Sequence, residues 1–357
     1  MLSLVLAFSC TKDFVESVSV EQQHAAKVIR LSDSNVAGSL IIRFDSEAVT
    51  RVEAGVSRTG STRSGIENFD AILDKVGGSH MERLFVSNRF EERLRKEGMH
   101  CWYVVYFDSE VNIESAAAQF ASVDEVAVVQ LNSRLDNIGG EQSAVATAQN
   151  YDAPTTRAKL YPAFNDPDLE KQWHYINIGD TSVFSGVKKG ADINAGEAWD
   201  ITAGDNRIVV AIIDNVVKPT HPDLAANMWV NEAELNGVEG VDDDGNGYKD
   251  DVYGYNFVGG SAKINFDSHG THVAGTVAAL NNNGIGVCGV AGGYYPDKPG
   301  VRVMALQVID DNYPEGTASL PKVYQYAAEN GAVILNNSWG YAQTLKVMPT
   351  ADKEAID

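Results

Sequence analysis

The 357-residue sequence has few of the features that several large protein classes require. Lys and Arg together number 28 against 49 Asp and Glu, which gives a formal net charge of −21 at pH 7. Because clustered Lys and Arg neutralise phosphate, this balance argues against nucleic acid or an anionic membrane as the partner. There are 3 cysteines, Cys10, Cys101 and Cys288, and no CxxC pair, so the sequence predicts neither a disulfide framework nor a cysteine-based zinc site. The acidic balance instead suits solubility and cation binding.

The apolar run at the N-terminus is too short to cross a bilayer. It reads MLSLVLAFS over residues 1–9 and stops at Cys10, after which the chain becomes polar. The segment 1–10 is similar to the end of a bacterial lipoprotein signal, although no Lys or Arg precedes it and Phe8 stands where a smaller residue is usual. Two interpretations stay open: Cys10 carries a lipid anchor, or the segment is an ordinary secretory peptide. Both predict export, with the protein secreted, periplasmic or anchored to the outer membrane of a bacterium.

Strand and helix patterns alternate from residue 37 to residue 132 in the order β-α-β-β-α-β, with one additional helix. This order predicts a ferredoxin-like α+β domain over 37–132. Residues 133–165 then lose periodicity and are rich in Ser, Gly, Gln, Asn, Thr and Pro, which predicts an exposed linker and processing region. The expected elements are strands at 39–44, 81–86, 102–107 and 126–131, and helices at 66–76, 90–97 and 113–121.

Residues 166–357 show the pattern of a doubly wound α/β domain with a parallel sheet. A continuous apolar strand over 208–213 ends at Asp214, and such strands are typical of sheets that are buried on both faces. Ligands of these sheets bind at the carboxyl ends of the strands, which is where Asp214 is placed. The other expected elements are helices at 195–201, 269–280 and 320–330, and strands at 301–308 and 332–336.

The segment DSHGTHVAGT over residues 267–276 opens a helix that is rich in small residues. Small side chains are expected to let this helix pack closely against its neighbours, and so to hold His269 rigidly at the helix N-terminus. A general base needs such rigidity because its ring must reach a hydroxyl on one side and an orienting carboxylate on the other. Asp214 can supply that carboxylate. The small residues are Gly270, Ala274, Gly275 and Ala278.

Several further motifs accompany the His269 segment in a fixed order. They are QWHY at 172–175, GADI at 190–193, VVAIID at 209–214, HPDL at 221–224, NNGIGV at 282–287 and NSWG at 337–340. The series, over roughly residues 166–340, resembles the subtilases, the subtilisin-like serine proteases. The resemblance implies a serine endopeptidase that hydrolyses protein or peptide substrates.

The resemblance also assigns roles to particular residues. It implies an Asp-His-Ser triad in that order along the chain, with Asp214 and His269 in the first two roles. Ser338, Trp339 and Gly340 match the family segment whose backbone pairs with the substrate as an added strand. The upstream domain over 37–132 resembles a propeptide, which implies that it chaperones the catalytic domain and acts as its intramolecular inhibitor.

Two departures from the family pattern lead to further expectations. After the catalytic Asp the family has a small polar residue and then Gly, whereas Asn215 and Val216 follow here, so we expect Val216 either to tilt the Asp214 carboxylate or to disturb the end of the strand. The family's nucleophile lies in a Gly-Thr-Ser-Met-Ala segment, which the 357 residues do not contain. We therefore expect an N-terminal fragment whose catalytic domain, 166–357, is C-terminally incomplete and inactive by itself.

An acidic loop, DDDGNGYKD over residues 242–250, places oxygen atoms at alternate positions with Gly at the sixth, as in the first half of an EF-hand loop. An uncompensated cluster of carboxylates repels itself, so this pattern favours Ca2+ over a plain acidic turn. Tyr253 occupies the twelfth position in place of the usual Glu, and Asp251 is a candidate substitute. The expected ligands are the side chains of Asp242, Asp244 and Asn246, the carbonyl of Tyr248, and Asp250 directly or through water.

A second calcium site is implied by the resemblance alone. In subtilases an Asp after the His-Pro pair combines with a loop that follows the His helix. The loop in this sequence is one residue longer than in the best-known members. The implied ligands are Asp223, the carbonyls of Leu280, Ile285 and Val287, and the side chain of Asn282.

Two rival functions follow from the same residues. His269 and His272 stand three apart on a helix and could share a zinc ion, but the Glu of the HExxH pattern and a third ligand are lacking. The non-enzymatic alternative is a calcium-binding module whose propeptide-like domain inhibits other proteases. A serine-reactive phosphonate separates these functions, because only a serine protease that carries its nucleophile is labelled.

Overall fold

The fold is known from a computed structural model that describes residues 19–31, 34–56, 63–137, 164–182, 185–186, 188–264, 268–310, 319–341 and 350–356. Three sequence predictions lie outside these residues: the segment 1–10 with Cys10, the residue Asp267, and most of the linker over 133–165. Within the described ranges, no helix combines the length and the apolar character that crossing a membrane requires.

The N-terminal part is a mixed sheet covered by helices. Its strands run in the order β1-β5-β2-β4-β3, and every pair is antiparallel except β1 with β5. Phe44, Phe69 and Phe120 pack ring against ring in its core. The strands are β1 (Val28–Ile29), β2 (Asn35–Phe44), β3 (His80–Arg83), β4 (Trp102–Tyr106) and β5 (Val126–Ser133), and the helices are α1 (Val20–Ala26), α2 (Val49–Val56), α3 (Glu67–Lys75), α4 (Glu91–Lys96) and α5 (Ile113–Ala121).

A short strand, β6 (Leu135–Asn137), follows this sheet at residues that the sequence predicted to be exposed linker. That prediction was wrong for these three residues. Their partner is a strand some two hundred residues further along the chain, and a pairing between such distant segments leaves no local pattern.

The second part contains the parallel sheet that the sequence predicted, in the order β12-β7-β11-β8. Ala211 and Ile213 of the second strand in this order contribute to the core on one face, and Val210 and Ile212 contribute to the core on the other. Burial on both faces explains the continuous apolar run. The strands are β7 (Val209–Asp214), β8 (Gly254–Asn256), β9 (Gly293–Tyr294), β10 (Lys298–Pro299), β11 (Arg302–Gln307), β12 (Ala332–Asn337) and β13 (Trp339–Tyr341), and the helices are α6 (Ala195–Ile201), α7 (Glu232–Leu235), α8 (Ser268–Ala278), α9 (Leu320–Glu329) and α10 (Thr350–Ile356).

The two parts contact each other through α9 and α10. Fully buried Ala351 of α10 packs in one apolar cluster with residues of the N-terminal sheet that include Trp102. The Trp102 indole donates a hydrogen bond to Glu354 Oε2 at 2.7 Å, and Lys322 of α9 lies 2.8 Å from Glu82. An apolar cluster with polar contacts around it therefore joins the N-terminal sheet to the second part.

Candidate active site

The end of β7 and the start of α8 bring Asp214 and His269 together. The imidazole Nδ1 of His269 lies 2.7 Å from Asp214 Oδ1. The Asp214 side chain is 1% exposed, whereas the His269 side chain is 30% exposed. A buried carboxylate on Nδ1 fixes the orientation of the ring and leaves Nε2 to accept a proton from a hydroxyl. The pair thus has the geometry of a general base and its orienting acid.

Asn215 connects the two elements that carry this pair. Its amide Oδ1 accepts hydrogen bonds from the backbone N–H of Gly270 at 2.9 Å and from the N–H of Val216 at 2.6 Å. Its own backbone N–H donates to Asp214 Oδ1 at 2.7 Å. The sequence alone indicates no role for Asn215, because its partner Gly270 is 55 residues away.

Gly270 is required because the two elements approach closely here. A Cβ at this position would lie 2.2 Å from the carbonyl oxygen of Val216. Gly275, by contrast, has no neighbouring atom within 4 Å of the position of a Cβ, so the expectation that it serves close packing was wrong. The expected disturbance by Val216 is also absent, since Val216 is not among the residues with positive φ and the Asp214 carboxylate still meets His269.

The predicted substrate strand lies beside the same sheet and is already paired. Trp339, Gly340 and Tyr341 of β13 pair antiparallel with Asn137, Asp136 and Leu135 of β6, in that order. Trp339 and Leu135 are partly buried and pack against the same core cluster. Just before β13, the Ser338 hydroxyl accepts a hydrogen bond from Asn336 Nδ2 at 2.9 Å. The residues that follow the N-terminal sheet therefore pair with the strand that the sequence predicted to bind substrate.

The acidic loop gathers carboxylates around one point. Asp242, Asp244 and Glu234 each offer an oxygen, and these atoms all lie within 4.8 Å of one another. No sequence motif indicates Glu234 of the short helix α7, because this residue precedes the loop motif by eight positions. Its carboxylate also accepts the backbone N–H groups of Asp243 at 2.6 Å and of Asp250 at 2.7 Å. Hard oxygen donors of this kind suit Ca2+.

The remaining predicted ligands of the acidic loop are Asn246, Tyr248 and Asp250, and they differ in their distance from the carboxylate cluster and in their partners. The Asn246 side chain lies at the cluster, where its Nδ2 donates to Asp244 Oδ2 at 3.2 Å and to Asp251 Oδ2 at 3.0 Å. The Asp250 carboxylate instead accepts the N–H of Gly240 at 2.9 Å, and the Tyr248 ring packs edge-on against Tyr326. Burial raises the pKa of Asp251 to about 6, although hydrogen bonds from Tyr326 and Asn246 act in the opposite direction.

The residues of the second implied calcium site are only partly brought together. Asp223 accepts hydrogen bonds from the side chain of Asn283 at 2.7 Å and from the N–H of Val287 at 3.0 Å, and the Leu280 N–H donates to the Asp223 carbonyl at 2.8 Å. The Asn282 side chain donates to the Tyr295 carbonyl instead. Asn283, and not Asn282, thus lies beside Asp223. Ile285 is exposed in the same loop.

His272 points elsewhere than His269. It lines a cavity of about 430 Å³ with His174, His221 and Lys218, and His269 is not among the residues that line this cavity. Burial, with a smaller contribution from His272, lowers the pKa of His174. Among the described residues, the one cluster of three potential metal ligands is the acidic cluster, which contains no histidine.

Comparison with known proteins gives the same family as the motifs. Residues 205–357 match the profile of the subtilase family. This part of the chain is similar to the subtilases. The curated relatives include subtilisin-like protease 1 of Plasmodium berghei, 36% identical over 133 residues, which are 37% of this chain and 21% of the relative. The chain therefore spans about a fifth of the length of the first curated relatives that it matches.

Two further similarities involve bacterial enzymes. The thermophilic serine proteinase of Bacillus sp. strain AK1 is 28% identical over 244 residues, which are 66% of this chain and 51% of the relative. The crystal structure of fervidolysin from Fervidobacterium pennivorans, a keratinolytic enzyme related to subtilisin, covers 92% of this chain and 39% of its own, with 17% identity and a TM-score of 0.49. The parallel α/β part of the chain has the subtilisin-like fold that the family profile implies.

Proposed function

We propose that this protein is an exported subtilisin-like serine endopeptidase precursor that is stabilised by calcium. The contact of 2.7 Å between His269 Nδ1 and Asp214 Oδ1 carries the proposal, because it occurs at the carboxyl edge of a parallel sheet within the subtilase-matching residues. His269 would take the proton of a serine hydroxyl as that oxygen attacks a peptide carbonyl, and Asp214 would stabilise the imidazolium that forms. Protein or peptide chains are the proposed substrates, held as an added strand along Ser338, Trp339 and Gly340.

The catalytic proposal is tested with any gene product that carries these residues together with a Gly-Thr-Ser segment. We expect it to hydrolyse a peptide substrate and to be labelled by a serine-reactive phosphonate. His269→Ala should reduce both by at least about a thousandfold, because removal of a triad member leaves only binding and oxyanion contacts. The 357-residue chain is the control and should not be labelled. Hydrolysis that survives His269→Ala, or that is abolished by chelator without any phosphonate labelling, would refute the assignment.

We further propose that residues 37–132 are a ferredoxin-like propeptide domain that inhibits the catalytic domain intramolecularly. The strand order β5-β2-β4-β3 supports the split βαβ arrangement, and the pairing of β6 with β13 supports occupation of the substrate edge. The non-catalytic alternative, an inhibitor of other proteases, would use the same strand. Phosphonate labelling of a product that carries these residues together with a Gly-Thr-Ser segment would argue against that alternative.

Calcium is the proposed ion of the acidic loop, held by Asp242, Asp244 and Glu234 with Asn246 beside them. The ion would neutralise carboxylates that otherwise repel one another, so it binds the folded loop in preference to the unfolded chain. At a hundredfold excess over its Kd, calcium should add about 2.7 kcal/mol to the free energy of unfolding. Asp244→Ala should remove most of the resulting increase in Tm. A Tm that is indifferent to both calcium and chelator would refute the metal site.

The location and the second calcium site remain proposals as well. Export rests on the segment 1–10, with a lipid anchor at Cys10 as one of its two forms. Asp223, with the neighbouring loop carbonyls, is the proposed centre of the second site, and Asn283 replaces Asn282 as its side-chain neighbour. Mass spectrometry of the N-terminal peptide from the native host would show whether Cys10 carries a lipid.

A further inference from the structure

The N-terminal domain contacts the acidic loop as well as the helices of the second part. The turn after β3 lies against the loop, where Asn88 Nδ2 donates to the Gly245 carbonyl at 3.3 Å. Next to it, Arg89 Nη2 lies 3.9 Å from Asp244 Oδ2. Asp244 is one of the three residues whose carboxylates meet at the proposed calcium position. A cationic side chain of the propeptide-like domain therefore faces a carboxylate that calcium would use.

Helix α9 links the same two regions by a second route. The Tyr326 hydroxyl donates to Asp251 Oδ2 on the loop side of this helix. On the other side, Gln325 Nε2 donates to the Val86 carbonyl at 3.0 Å, and Arg89 Nη1 donates to the Glu329 carbonyl at 3.5 Å. The loop region and the N-terminal domain thus both contact α9, in addition to contacting each other directly.

We infer that the acidic loop is a docking surface for the N-terminal domain and that calcium and Arg89 compete for the Asp244 carboxylate. Calcium in the loop would bring two positive charges close to the guanidinium and would reduce the negative charge that attracts it. Coupling between two binding events is reciprocal, so calcium weakens docking by the same factor by which docking weakens calcium binding. This inference depends on the calcium site proposed above and adds a regulatory role to it: calcium favours release of the inhibitory domain.

The burial of the two charges sets the size of the coupling. The Arg89 side chain is 46% exposed and that of Asp244 is 13% exposed, at a separation of 3.9 Å. Exposed pairs of this kind are weak and are screened by salt. The coupling therefore corresponds to a change of about two- to fivefold in the calcium Kd at low ionic strength.

The test is calorimetric titration of calcium into the chelator-stripped 357-residue chain. Arg89→Ala and Arg89→Gln should each lower the calcium Kd about two- to fivefold at low salt, and the difference from wild type should shrink at about 0.5 M salt. Arg93→Ala is the matched control. Arg93 is exposed on α4 of the same domain, and its replacement by Ala changes the net charge by the same amount. It should leave the Kd unchanged.

Hydrogen exchange gives a second readout, which does not depend on activity. Calcium should speed amide exchange in residues 84–91 of the wild-type chain, and this effect should be smaller in Arg89→Ala. Calcium binding with the same Kd in wild type and in both Arg89 variants would overturn the coupling while leaving the calcium site intact, as would an equal effect from Arg93→Ala. Failure of the wild-type chain to bind calcium would overturn the site itself, and the coupling with it.

Discussion

At the scale of single residues, Asn215 stands out because one amide oxygen serves two backbone donors, Gly270 N–H and Val216 N–H. Asn215→Ala would leave both donors without this acceptor in a buried place. We expect a loss of about 1–3 kcal/mol in the free energy of unfolding, measured by urea denaturation. Asn236→Ala is the control, since that side chain is exposed and bonds only within its own short helix, and it should change stability by less than about 0.5 kcal/mol.

A stability loss alone would not show that Asn215 positions the pair formed by Asp214 and His269. The proton NMR signal of the hydrogen bond between His269 and Asp214 supplies that readout. It should broaden or shift in Asn215→Ala and stay unchanged in Asn236→Ala. An unchanged signal in both variants would limit Asn215 to a structural role.

The two described cysteines lead to a prediction about reactivity. Burial raises the pKa of the Cys101 thiol and that of the Cys288 thiol, and the Asp166 carboxylate near Cys288 acts in the same direction. Because the thiolate is the reactive form, both thiols should stay neutral and unreactive at pH 8. Iodoacetamide should modify them at least about tenfold more slowly in the native chain than in denaturant, followed by peptide mass spectrometry. Rapid modification of Cys288 in the native chain would contradict this prediction and would show that its thiol is reactive.

At the scale of elements, α8 offers two glycines with opposite surroundings. Gly270→Ala would place a Cβ against the Val216 carbonyl and should destabilise the protein by about 1–3 kcal/mol. Gly275→Ala places its Cβ in open space and should stabilise the protein by about 0.5–1 kcal/mol, because Ala is the better helix former. Thermal unfolding of the two variants checks both signs. Equal effects would mean that helix propensity, and not the close approach of α8 to β7, decides the outcome.

The elements also show which parts of the site a sequence can predict. The apolar strand ending at Asp214 and the small-residue helix opening at His269 have local patterns, and the structure contains both elements where they were expected. Glu234 could not be found in this way, since the EF-hand pattern counts positions within one contiguous loop. The sequence did not predict β6 for a similar reason. Three residues that pair with a distant strand leave no periodic pattern in the sequence. Helix α2 was missed as well, although Val49 and Val52 are buried in the core.

At the scale of the whole molecule, Ala351 links the two parts by packing against the N-terminal sheet with no exposed surface. Ala351→Asp would bury an unpaired charge in this contact and should weaken docking by on the order of 3 kcal/mol. Calorimetry should then show the N-terminal domain melting separately and at a lower temperature than the rest. Ile356→Asp, at a position 52% exposed on the same helix, should leave the wild-type profile intact. A wild-type profile in Ala351→Asp would show that the polar contacts alone hold the domains together.

The pairing of β6 with β13 has a kinetic consequence. β6 acts as a ligand that is tethered by the chain to its receptor, β13. While the chain between them is intact, the strand is present at an effective concentration on the order of millimolar, so a free peptide at micromolar concentration cannot compete for the edge. A single cut between residues 138 and 163 would break the covalent link between the two strands, so that their pairing becomes a contact between two molecules. Dilution could then separate them. The onset of the proposed protease activity would then depend on protein concentration and on the lifetime of the cut complex, and so would lag behind the cut itself.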